Sequence, residues 1–307
     1  MSPPEVVAVR VPASTANLGP GFDCLGLALD IHNTVELSLA VETTVEVTGE
    51  GQGHLALSAN NLVLESAQRL AQEVDQQVPG WRLRQHNEIP LARGLGSSSA
   101  AIVGGLVAAN ELLDAGLSPD RLLQLATELE GHPDNVAPAL YGGLTVCCRE
   151  PEQVWCVPLE VPDELVVALA IPRFEVSTRQ AREVLPDEVS FDDAVFNCSR
   201  SACTLAALVA SQWDVLHAAM QDRLHQPYRA DLVPGADEVM AAARQAGAYG
   251  AALSGSGPTV VAFATERREP ILAGMLQAFG RFNIEATGIW ATPSDDGAVI
   301  ADEGVSQ

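Results

Sequence analysis

Apolar positions along this chain recur with two different periods, which predicts a mixture of strands and helices. Alternating or β-branched runs predict strands, whereas apolar positions three and four residues apart predict helices. The predicted strands span residues 6–11, 33–48 (one or two strands), 81–88, 142–147, 154–159, 165–171 and 284–290, with a strand–glycine loop–strand unit at 250–263. The predicted helices span residues 61–74, 97–113, 119–129, 196–211, 213–220, 236–246 and 270–279. Turn-forming residues predict a loop at 13–23 and a turn at 131–135.

Both kinds of element occur in both halves of the chain, and prolines mark a boundary near residue 160. This organisation predicts an α+β enzyme with two domains, residues 1–160 and 161–293. Residues 294–307 are acidic, and we expect them to form a mobile tail.

The composition narrows the classes of function. The chain has 307 residues, is 47% hydrophobic, contains no lysine and carries a net charge of −23. Nucleic acids and anionic membranes bind cationic surfaces, so we expect neither as a partner. The six cysteines form no CxxC pair, which fits free thiols in a reducing compartment. Because no run reaches about 18 apolar residues, we expect a soluble cytoplasmic protein.

Residues 90–101, PLARGLGSSSAA, form the most informative motif. Gly94 and Gly96 allow a ligand to approach the backbone closely, and three serines follow where a helix is predicted to begin. A helix N-terminus presents unpaired N–H groups and a positive dipole end to anions. The motif therefore predicts a phosphate-binding loop without the lysine of the GxxxxGK[ST] loop. The alternative is a glycine turn with a serine cap before a core helix.

Two further features fit a nucleotide site. Glu128 and Glu130 end the next predicted helix, and an antiparallel return brings that end back to the loop. Magnesium prefers oxygen ligands and usually takes one or two from protein, so one of these carboxylates is a candidate ligand. Residues two apart on a helix do not share a face, so only one is expected to point inward. A second glycine loop, at 253–259, is either a ligand-approaching wall or an ordinary hairpin turn.

Three motifs carry a resemblance to a known family, and it covers the chain apart from its C-terminal tail. Residues 14–23, 90–101 and 254–259 resemble, in order and spacing, the motifs of the galactokinase/homoserine kinase/mevalonate kinase (GHMP) superfamily. Residues 130–143, EGHPDNVAPALYGG, resemble the homoserine kinases within it. The resemblance implies an N-terminal domain with a left-handed βαβ unit, a ferredoxin-like C-terminal domain and a nucleotide bound between them.

The resemblance also implies ATP as co-substrate, with Mg²⁺. Asn61 matches an asparagine near the adenine pocket, and the magnesium ligands correspond to Ser98 and Glu128. Ser99 stands where alanine is most usual in the family. The implied ATP-binding residues are Asn61, Pro90, Arg93, Gly94, Leu95, Gly96, Ser97, Ser98, Ser99, Gly255 and Gly257.

The implied acceptor is L-homoserine, a zwitterion whose γ-hydroxyl is phosphorylated to O-phospho-L-homoserine on the route to threonine. Arginine suits its carboxylate because the planar guanidinium binds it bidentately. The implied contacts are Asn17 and Asp23 on the ammonium and hydroxyl side, Arg182 and Arg229 at the carboxylate, and Thr178 and His132 as further substrate-binding residues.

Asn135 stands where several kinases of the superfamily have an aspartate base. An asparagine cannot accept a proton at neutral pH, and we expect the side chain of Asp134 to point elsewhere. We therefore predict catalysis without a general base: Asn135 orients the hydroxyl, and Ser98 and Glu128 complete the catalytic set. Phosphoryl transfer tolerates this because its loose transition state needs mainly positioning and electrostatic stabilisation. His132 precedes a proline and is expected to be a contact residue.

Other functions stay open at this point. A different GHMP kinase would act on mevalonate or a sugar, neither of which has an ammonium to pair with Asp23. A ligand sensor with this fold would have lost turnover and would not need the metal pair. A non-kinase nucleotide-binding protein would use only the phosphate loop. The resemblance also suggests a homodimer.

Overall fold

The computed structural model describes residues 4–55 and 60–301, which form two β-sheets with helices packed against them. The first sheet contains β1 (Val7–Ala16), β2 (Leu25–Ala40), β3 (Thr44–Gly49), β4 (Gly80–Asn87), β5 (Leu144–Glu150), β6 (Gln153–Leu159) and β11 (Val299–Ala301). The second contains β7 (Val166–Pro172), β8 (Gly250–Leu253), β9 (Val260–Ala264) and β10 (Ala286–Ala291). The α-helices are α1 (Leu62–Glu73), α2 (Ser97–Leu112), α3 (Pro119–Glu130), α4 (Pro133–Tyr141), α5 (Thr178–Glu183), α6 (Phe191–Val209), α7 (Leu216–Ala219), α8 (Ala236–Gln245) and α9 (Glu269–Arg281).

The first sheet is organised around β2, a strand of 16 residues that pairs with β1 along its length. Its beginning also pairs with β5 and its end with β4, so one strand joins both parts of the sheet. β3, α1 and β4 form a βαβ unit, since β3 and β4 are parallel. β1 runs past the predicted end at Val11, because a register shift between Pro12 and Ala13 accommodates the proline, which has no N–H to donate.

The second sheet has the strand order β10-β7-β9-β8 and is antiparallel throughout. If β7 is counted as the first strand of this sheet and β10 as the fourth, the order is 4-1-3-2, with helices after the first and third strands. This βαββαβ arrangement is that of the ferredoxin-like fold, as the resemblance implied. α8 and α9 cover one face, where Val239, Ile271 and Phe279 are buried.

α2 lies at the centre of the first half and is buried on nearly every side. It packs against α1 and α3 and against β1 and β2. Its run of small and aliphatic residues, Ala100 to Leu106, allows these close contacts on every face. The helix that begins at the predicted phosphate loop is therefore fixed by the main hydrophobic core.

Two local predictions differ from the structure, and one short helix, α5, was not predicted. The turn predicted at 131–135 is the start of α4, which begins with Pro133 at the favoured first position. α5 is only six residues long and has too few turns for an apolar period to show. α6 begins five residues before the predicted Phe196, because Ser190 caps it by accepting a hydrogen bond from the Asp193 N–H.

The segment from residue 294 to 301 is not the mobile tail that its acidity suggested. β11 pairs with β1 and extends the first sheet. The Gly143 N–H donates to the carbonyl oxygen of Ser294, which ties this segment to β5. Residues 302–307 of the predicted tail lie outside the described residues. Within the described ranges, none of the helices is long and apolar enough to span a membrane.

Candidate active site

A cavity of about 520 Å³ is lined by residues from both halves of the chain and contains most of the predicted site. The predicted residues that line it are Asn17, Asp23, Asn61, Arg93, Gly94, Leu95, Gly96, Ser97, Ser98, His132, Asn135, Thr178, Arg182, Arg229 and Gly255. Pro90, Ser99, Glu128 and Gly257 are not among its lining residues. The lining also includes Glu130, the alternative candidate for the metal ligand, and Phe22, Gln85, Asp134 and Ser256, which were not predicted as site residues.

The predicted phosphate loop leads into α2 through two glycines in the left-handed region, Gly94 (φ 75°) and Gly96 (φ 71°). Gly96 is the N-cap and supplies no side chain, so the first N–H groups of α2 have no side-chain cap. A Cβ on Gly94 would collide with the Ser254 carbonyl oxygen, and one on Gly96 with the Ser14 hydroxyl. Both glycines are therefore required by conformation and by space, and the loop leaves a helix N-terminus open to an anion.

The second glycine loop is joined to this first loop by hydrogen bonds. The Ser254 hydroxyl donates to the Gly94 carbonyl oxygen (2.5 Å), and the Thr259 N–H donates to the Arg93 carbonyl oxygen (3.3 Å). The Asn17 side chain donates to the Gly255 carbonyl oxygen (3.0 Å). The loop at 253–259 is thus a wall of the cavity rather than a free hairpin turn.

The carboxylate at the phosphate loop is Glu130. The hydroxyls of Ser98 and Ser99 both donate to Glu130 Oε1, at 2.7 and 2.9 Å. These oxygen atoms form a hard donor set of the kind that Mg²⁺ binds, so the residues present fit that ion. Ser99, buried behind the loop, helps to hold the carboxylate in place.

Glu128, the predicted metal ligand, does not line the cavity. Its carboxylate accepts from Arg69 (3.2 Å) and Gln124 (3.1 Å), and Arg121 lies 3.9 Å away. Two positions along a helix correspond to a rotation of about 200°, so Glu128 and Glu130 face opposite ways. Only one of the two was expected to face the loop, and in the structure that residue is Glu130.

At the other end of the cavity, Arg182 and Asp23 bind each other. Arg182 donates through Nη1 and Nη2 to the two carboxylate oxygens of Asp23, at 3.0 and 2.7 Å. α5 presents Arg182, and a reciprocal capping box of Ser177 and Gln180 fixes the start of that helix. Asp23 has a left-handed backbone (φ 55°), and its N–H donates to the Asn17 side chain. The predicted ammonium and carboxylate contacts therefore lie side by side.

Arg229 is buried, with 2% of its surface exposed. Its Nε donates to the Ala181 carbonyl oxygen (3.1 Å), and its Nη1 donates to that of Gly255 (3.0 Å). Burial and the neighbouring charge of Arg182 lower the pKa of Arg229 to about 10, although Asp23 opposes this shift. Arg229 stays cationic at neutral pH and gives the acceptor end a second fixed positive charge.

α4 presents a chain of hydrogen-bonded polar side chains at its N-terminus. His132 Nδ1 lies 2.6 Å from Asp134 Oδ1, and the Asn135 amide donates to the same oxygen at 3.4 Å. The Ser14 hydroxyl donates to Asn135 Oδ1 at 2.8 Å. Asp134 thus lines the cavity, contrary to the expectation that it points elsewhere. It was missed because a turn was predicted where α4 gathers these residues on one side.

The net charge at this end favours a protonated His132. Burial by itself lowers the pKa of His132, but the hydrogen bond and charge of Asp134, together with Glu130, outweigh burial and raise it. Ligand atoms of Asp23, His132 and Asp134 lie within 4.8 Å of one another. Arg182 already binds the Asp23 carboxylate. The cluster therefore contains charges of both signs, which suits a ligand that carries both a positive and a negative group.

The two ends of the cavity differ in chemistry. One end offers free helix N–H groups, hydroxyls and a carboxylate, which suits phosphate groups and a hard cation. The other offers Asp23 beside two arginines, which suits a small zwitterion. Asn135 belongs to the acceptor end, and its amide can orient a hydroxyl group but cannot remove its proton.

Comparison with known proteins agrees with this architecture. The model of the GHMP kinases N terminal domain matches residues 61–143, and that of the GHMP kinases C terminal domain matches residues 204–281. A homoserine kinase of Moorella thermoacetica is 48% identical over 292 residues, covering 95% of this chain and 99% of its own. One of Carboxydothermus hydrogenoformans is 45% identical and covers 96% of both chains.

Solved structures show the same similarity. The crystal structure of a homoserine kinase from Cytophaga hutchinsonii aligns with a TM-score of 0.87 and 33% identity, over 98% of this chain and 99% of that one. A mevalonate kinase of L. major shares the fold, with a TM-score of 0.68 at 15% identity, over 92% of this chain and 95% of that one. With its two loops, its two sheets and these relatives, the chain belongs to the homoserine kinase family of the GHMP kinases.

Proposed function

We propose that this chain is an ATP-dependent homoserine kinase, which transfers the γ-phosphoryl group of ATP to the γ-hydroxyl of L-homoserine. The product is O-phospho-L-homoserine, an intermediate of threonine biosynthesis. The identity of 48% with a homoserine kinase over nearly the whole chain carries this proposal. The acceptor end supports it, because Asp23 and the two arginines match the charges of an amino acid.

ATP binds with its phosphates on the loop of Gly94 to Ser98, against the N-terminus of α2. The adenine lies toward Asn61, which lines the same cavity and caps α1 by accepting from the Val63 N–H. Arg93 supports the loop, since its Nη1 donates to the Leu91 carbonyl oxygen. The remaining loop residues act through their backbone.

The oxygen atoms of Ser98 and Glu130 would hold Mg²⁺. When bound, the ion screens the charge of the triphosphate during transfer. The hydroxyls of Ser98 and Ser99 both donate to the Glu130 carboxylate, which positions this carboxylate at the loop.

Homoserine takes the place of the Asp23–Arg182 contact. Its ammonium binds Asp23, and its carboxylate binds Arg182 and Arg229. For Asp23, the substrate ammonium thereby replaces the positive charge of Arg182. For Arg182, the substrate carboxylate replaces the negative charge of Asp23. Asn17, Thr178 and His132 complete the acceptor site, and the tight Gly255 contact of Asn17 keeps this wall rigid.

Phosphoryl transfer proceeds by positioning and electrostatics, without a dedicated general base. Asn135 orients the γ-hydroxyl, and Ser14 holds the amide of Asn135 in place by donating to its oxygen. The proton leaves with the transferred phosphate group. In this proposal His132 is a contact residue rather than the base, since its Nδ1 lies 2.6 Å from Asp134 and the raised pKa favours its protonated form.

The test is ADP release from Mg-ATP with homoserine, mevalonate, galactose and no acceptor. We expect release with homoserine alone. Release only with mevalonate or galactose would indicate another GHMP kinase, and homoserine binding without ADP release would indicate a sensor. The cytoplasmic location and the homodimer stay predictions, which fractionation and light scattering of the full chain can test.

A further inference from the structure

His225 lies fully buried behind the acceptor end of the cavity, with 0% of its surface exposed. Its Nε2 is 2.7 Å from the Gly19 carbonyl oxygen, and its Nδ1 is 3.0 Å from Nη1 of Arg229. A guanidinium N–H can only donate, so Nδ1 must accept. A carbonyl oxygen can only accept, so Nε2 must carry the proton. The two contacts together select the neutral Nε2–H tautomer.

A doubly protonated His225 does not fit these contacts. Asp222 Oδ2 is 3.5 Å from Nε2, but the Asp222 carboxylate already accepts from the N–H groups of residues 224–226. A proton on Nδ1 would point at the N–H of Arg229. Burial lowers the pKa of His225 and Arg229 lowers it further, although Asp222 and Asp23 oppose them.

Phe22 completes the support of the two arginines. Its ring stacks on the His225 ring, with centroids 5.2 Å apart and an angle of 27°. The guanidinium carbons of Arg182 and Arg229 lie 5.5 and 5.4 Å from the centroid of Phe22. The negative face of an aromatic ring attracts cations, which offsets part of the repulsion between the two like charges.

We propose that His225 is a positioning residue for the acceptor, which acts by fixing the orientation of Arg229. Nε and Nη1 of Arg229 are bound to Ala181, Gly255 and His225, and no hydrogen bond joins its Nη2 to any residue in the described ranges. Nη2 is therefore the group that meets the substrate carboxylate. The inference rests on the proposed function, in which that carboxylate belongs to an amino acid.

Two isosteric substitutions separate the two hydrogen bonds of His225. In His225→Asn the amide oxygen reaches the position of Nδ1 and still accepts from Arg229. In His225→Gln the amide reaches the position of Nε2, so it still donates to Gly19 but leaves Arg229 without its acceptor. A lost hydrogen bond to a charged group changes binding roughly 10- to 100-fold.

We expect His225→Gln to raise the KM for homoserine by that factor while kcat and the KM for ATP change less than about threefold. His225→Asn should stay within about threefold of the parent in all three. Equal effects of both variants, or a matching rise in the KM for ATP, would overturn the proposal in favour of a purely structural role. If the parent protein shows no homoserine-dependent ADP release, the result refutes the proposed function rather than the role of His225. Nitrogen NMR of ¹⁵N-histidine then still decides the tautomer, because a protonated Nδ1 contradicts the inference.

A separate observation concerns Cys147 and Cys156, which lie directly opposite each other in the β5–β6 hairpin. The Cys147 N–H donates to the Cys24 carbonyl oxygen on the other side of β5, so it does not point at β6. Hydrogen-bonded and non-hydrogen-bonded pairs alternate along the hairpin, so the pair two positions away, Thr145 and Pro158, is of the same type as Cys147 and Cys156. Pro158 has no N–H to donate, which agrees with a non-hydrogen-bonded pair. Cys147 and Cys156 are therefore a non-hydrogen-bonded pair, in which the Cα atoms are about 4.5 Å apart, within the range of a disulfide.

The two thiols are also chemically unequal. The two thiols face each other across the hairpin, and their interaction raises the pKa of Cys147 and lowers that of Cys156. Cys147 is buried, whereas Cys156 is partly exposed. Cys156 is thus the nucleophile that an oxidant reaches first, with Cys147 behind it.

We infer that Cys147 and Cys156 are a modification site that closes to a disulfide on oxidation by a peroxide. The Cys156 thiolate attacks one oxygen of hydrogen peroxide and forms a sulfenic acid, and the released hydroxide takes the Cys147 proton to give water. The Cys147 thiolate then attacks the sulfenic sulfur; the S–S bond forms and hydroxide leaves, taking a proton from solvent. Two thiols and one peroxide give one disulfide and two waters.

Tryptic mapping under non-reducing conditions tests this, because cleavage after Arg149 separates the two cysteines. After peroxide treatment we expect a linked pair of peptides 122–149 and 150–173. The link should persist in Cys148→Ser and disappear in Cys147→Ser. A link that depends on the exposed Cys148, or oxidation of Cys148 with no link formed, would overturn the inference.

Discussion

Arg182 and Asp23 form a bidentate ion pair, with hydrogen bonds of 3.0 and 2.7 Å, between α5 and the loop that follows β1. Each side chain is a little over a third exposed, at 37% and 36%. An ion pair in such a position contributes at most about 1 kcal/mol to folding. Its main consequence is therefore functional, because it holds a cation and an anion where the acceptor's opposite charges are proposed to bind.

Replacing Asp23 should separate acceptor binding from nucleotide binding. Asp23→Asn keeps the shape but removes the charge that faces the ammonium, so we expect the KM for homoserine to rise about 100-fold. The KM for ATP should change less than about threefold, since the phosphate loop is at the other end of the cavity. Steady-state kinetics against each substrate measures both effects. Asp30→Asn, an exposed carboxylate on β2, is the matched control, and equal effects of the two variants would contradict the assignment.

The two glutamates at the end of α3 provide a direct comparison. Glu130→Gln removes the charge that Ser98 and Ser99 position, so we expect kcat to fall roughly 100-fold and the Mg²⁺ concentration for half-maximal rate to rise. Glu128→Gln alters only contacts with Arg69, Gln124 and Arg121, so kcat should stay within about threefold. Rates measured over a magnesium titration decide between them, and the reverse order would restore Glu128 as the ligand.

The close approach of the two glycine loops can be tested at Gly94. Gly94→Ala places a Cβ against the Ser254 carbonyl oxygen, in addition to the cost of a left-handed alanine. Gly116→Ala has the same backbone cost, at φ 62°, but its Cβ meets nothing within 4 Å. We expect Gly116→Ala to lose about 1 kcal/mol of unfolding free energy and Gly94→Ala to lose more and to raise the KM for ATP. Urea unfolding of both variants measures the difference, and equal losses would show that the loops can move apart.

His132 should make stability depend on pH. Its pKa is raised in the folded protein, because Asp134 and Glu130 outweigh burial, so protonated His132 stabilises the fold. This contribution is complete below the unfolded pKa of about 6.5 and is lost as pH rises through the higher folded value. The difference in unfolding free energy between the parent and His132→Gln should follow that course in denaturant titrations. In the Asp134→Asn background the decline should disappear; a difference that grows with pH would refute the raised pKa.

The positions that carry chemistry at the phosphate end were predictable because they depend on local sequence. Gly94, Gly96 and the serines that follow act through backbone conformation and the start of a helix. Both of these features depend on residues that are adjacent in the sequence. Most strands and the long helices were also predictable, since their apolar periods extend over several turns or pairs. The three-residue strand β11 and the first half of β2 were not predicted. Shorter elements such as α5 contain too few residues for a period to appear.

Which side chains meet across the cavity was decided by the tertiary structure alone. Glu128 and Glu130 are equivalent in the sequence, and only the rotation of α3 against α2 determines that Glu130 reaches Ser98. The pairing of Asp23 with Arg182 joins positions 159 residues apart, and no local pattern specifies it. The sequence by itself determined the longer elements, the motifs and the family. Their relative orientation follows from packing of the whole core, which sums many weak contacts that no short segment contains.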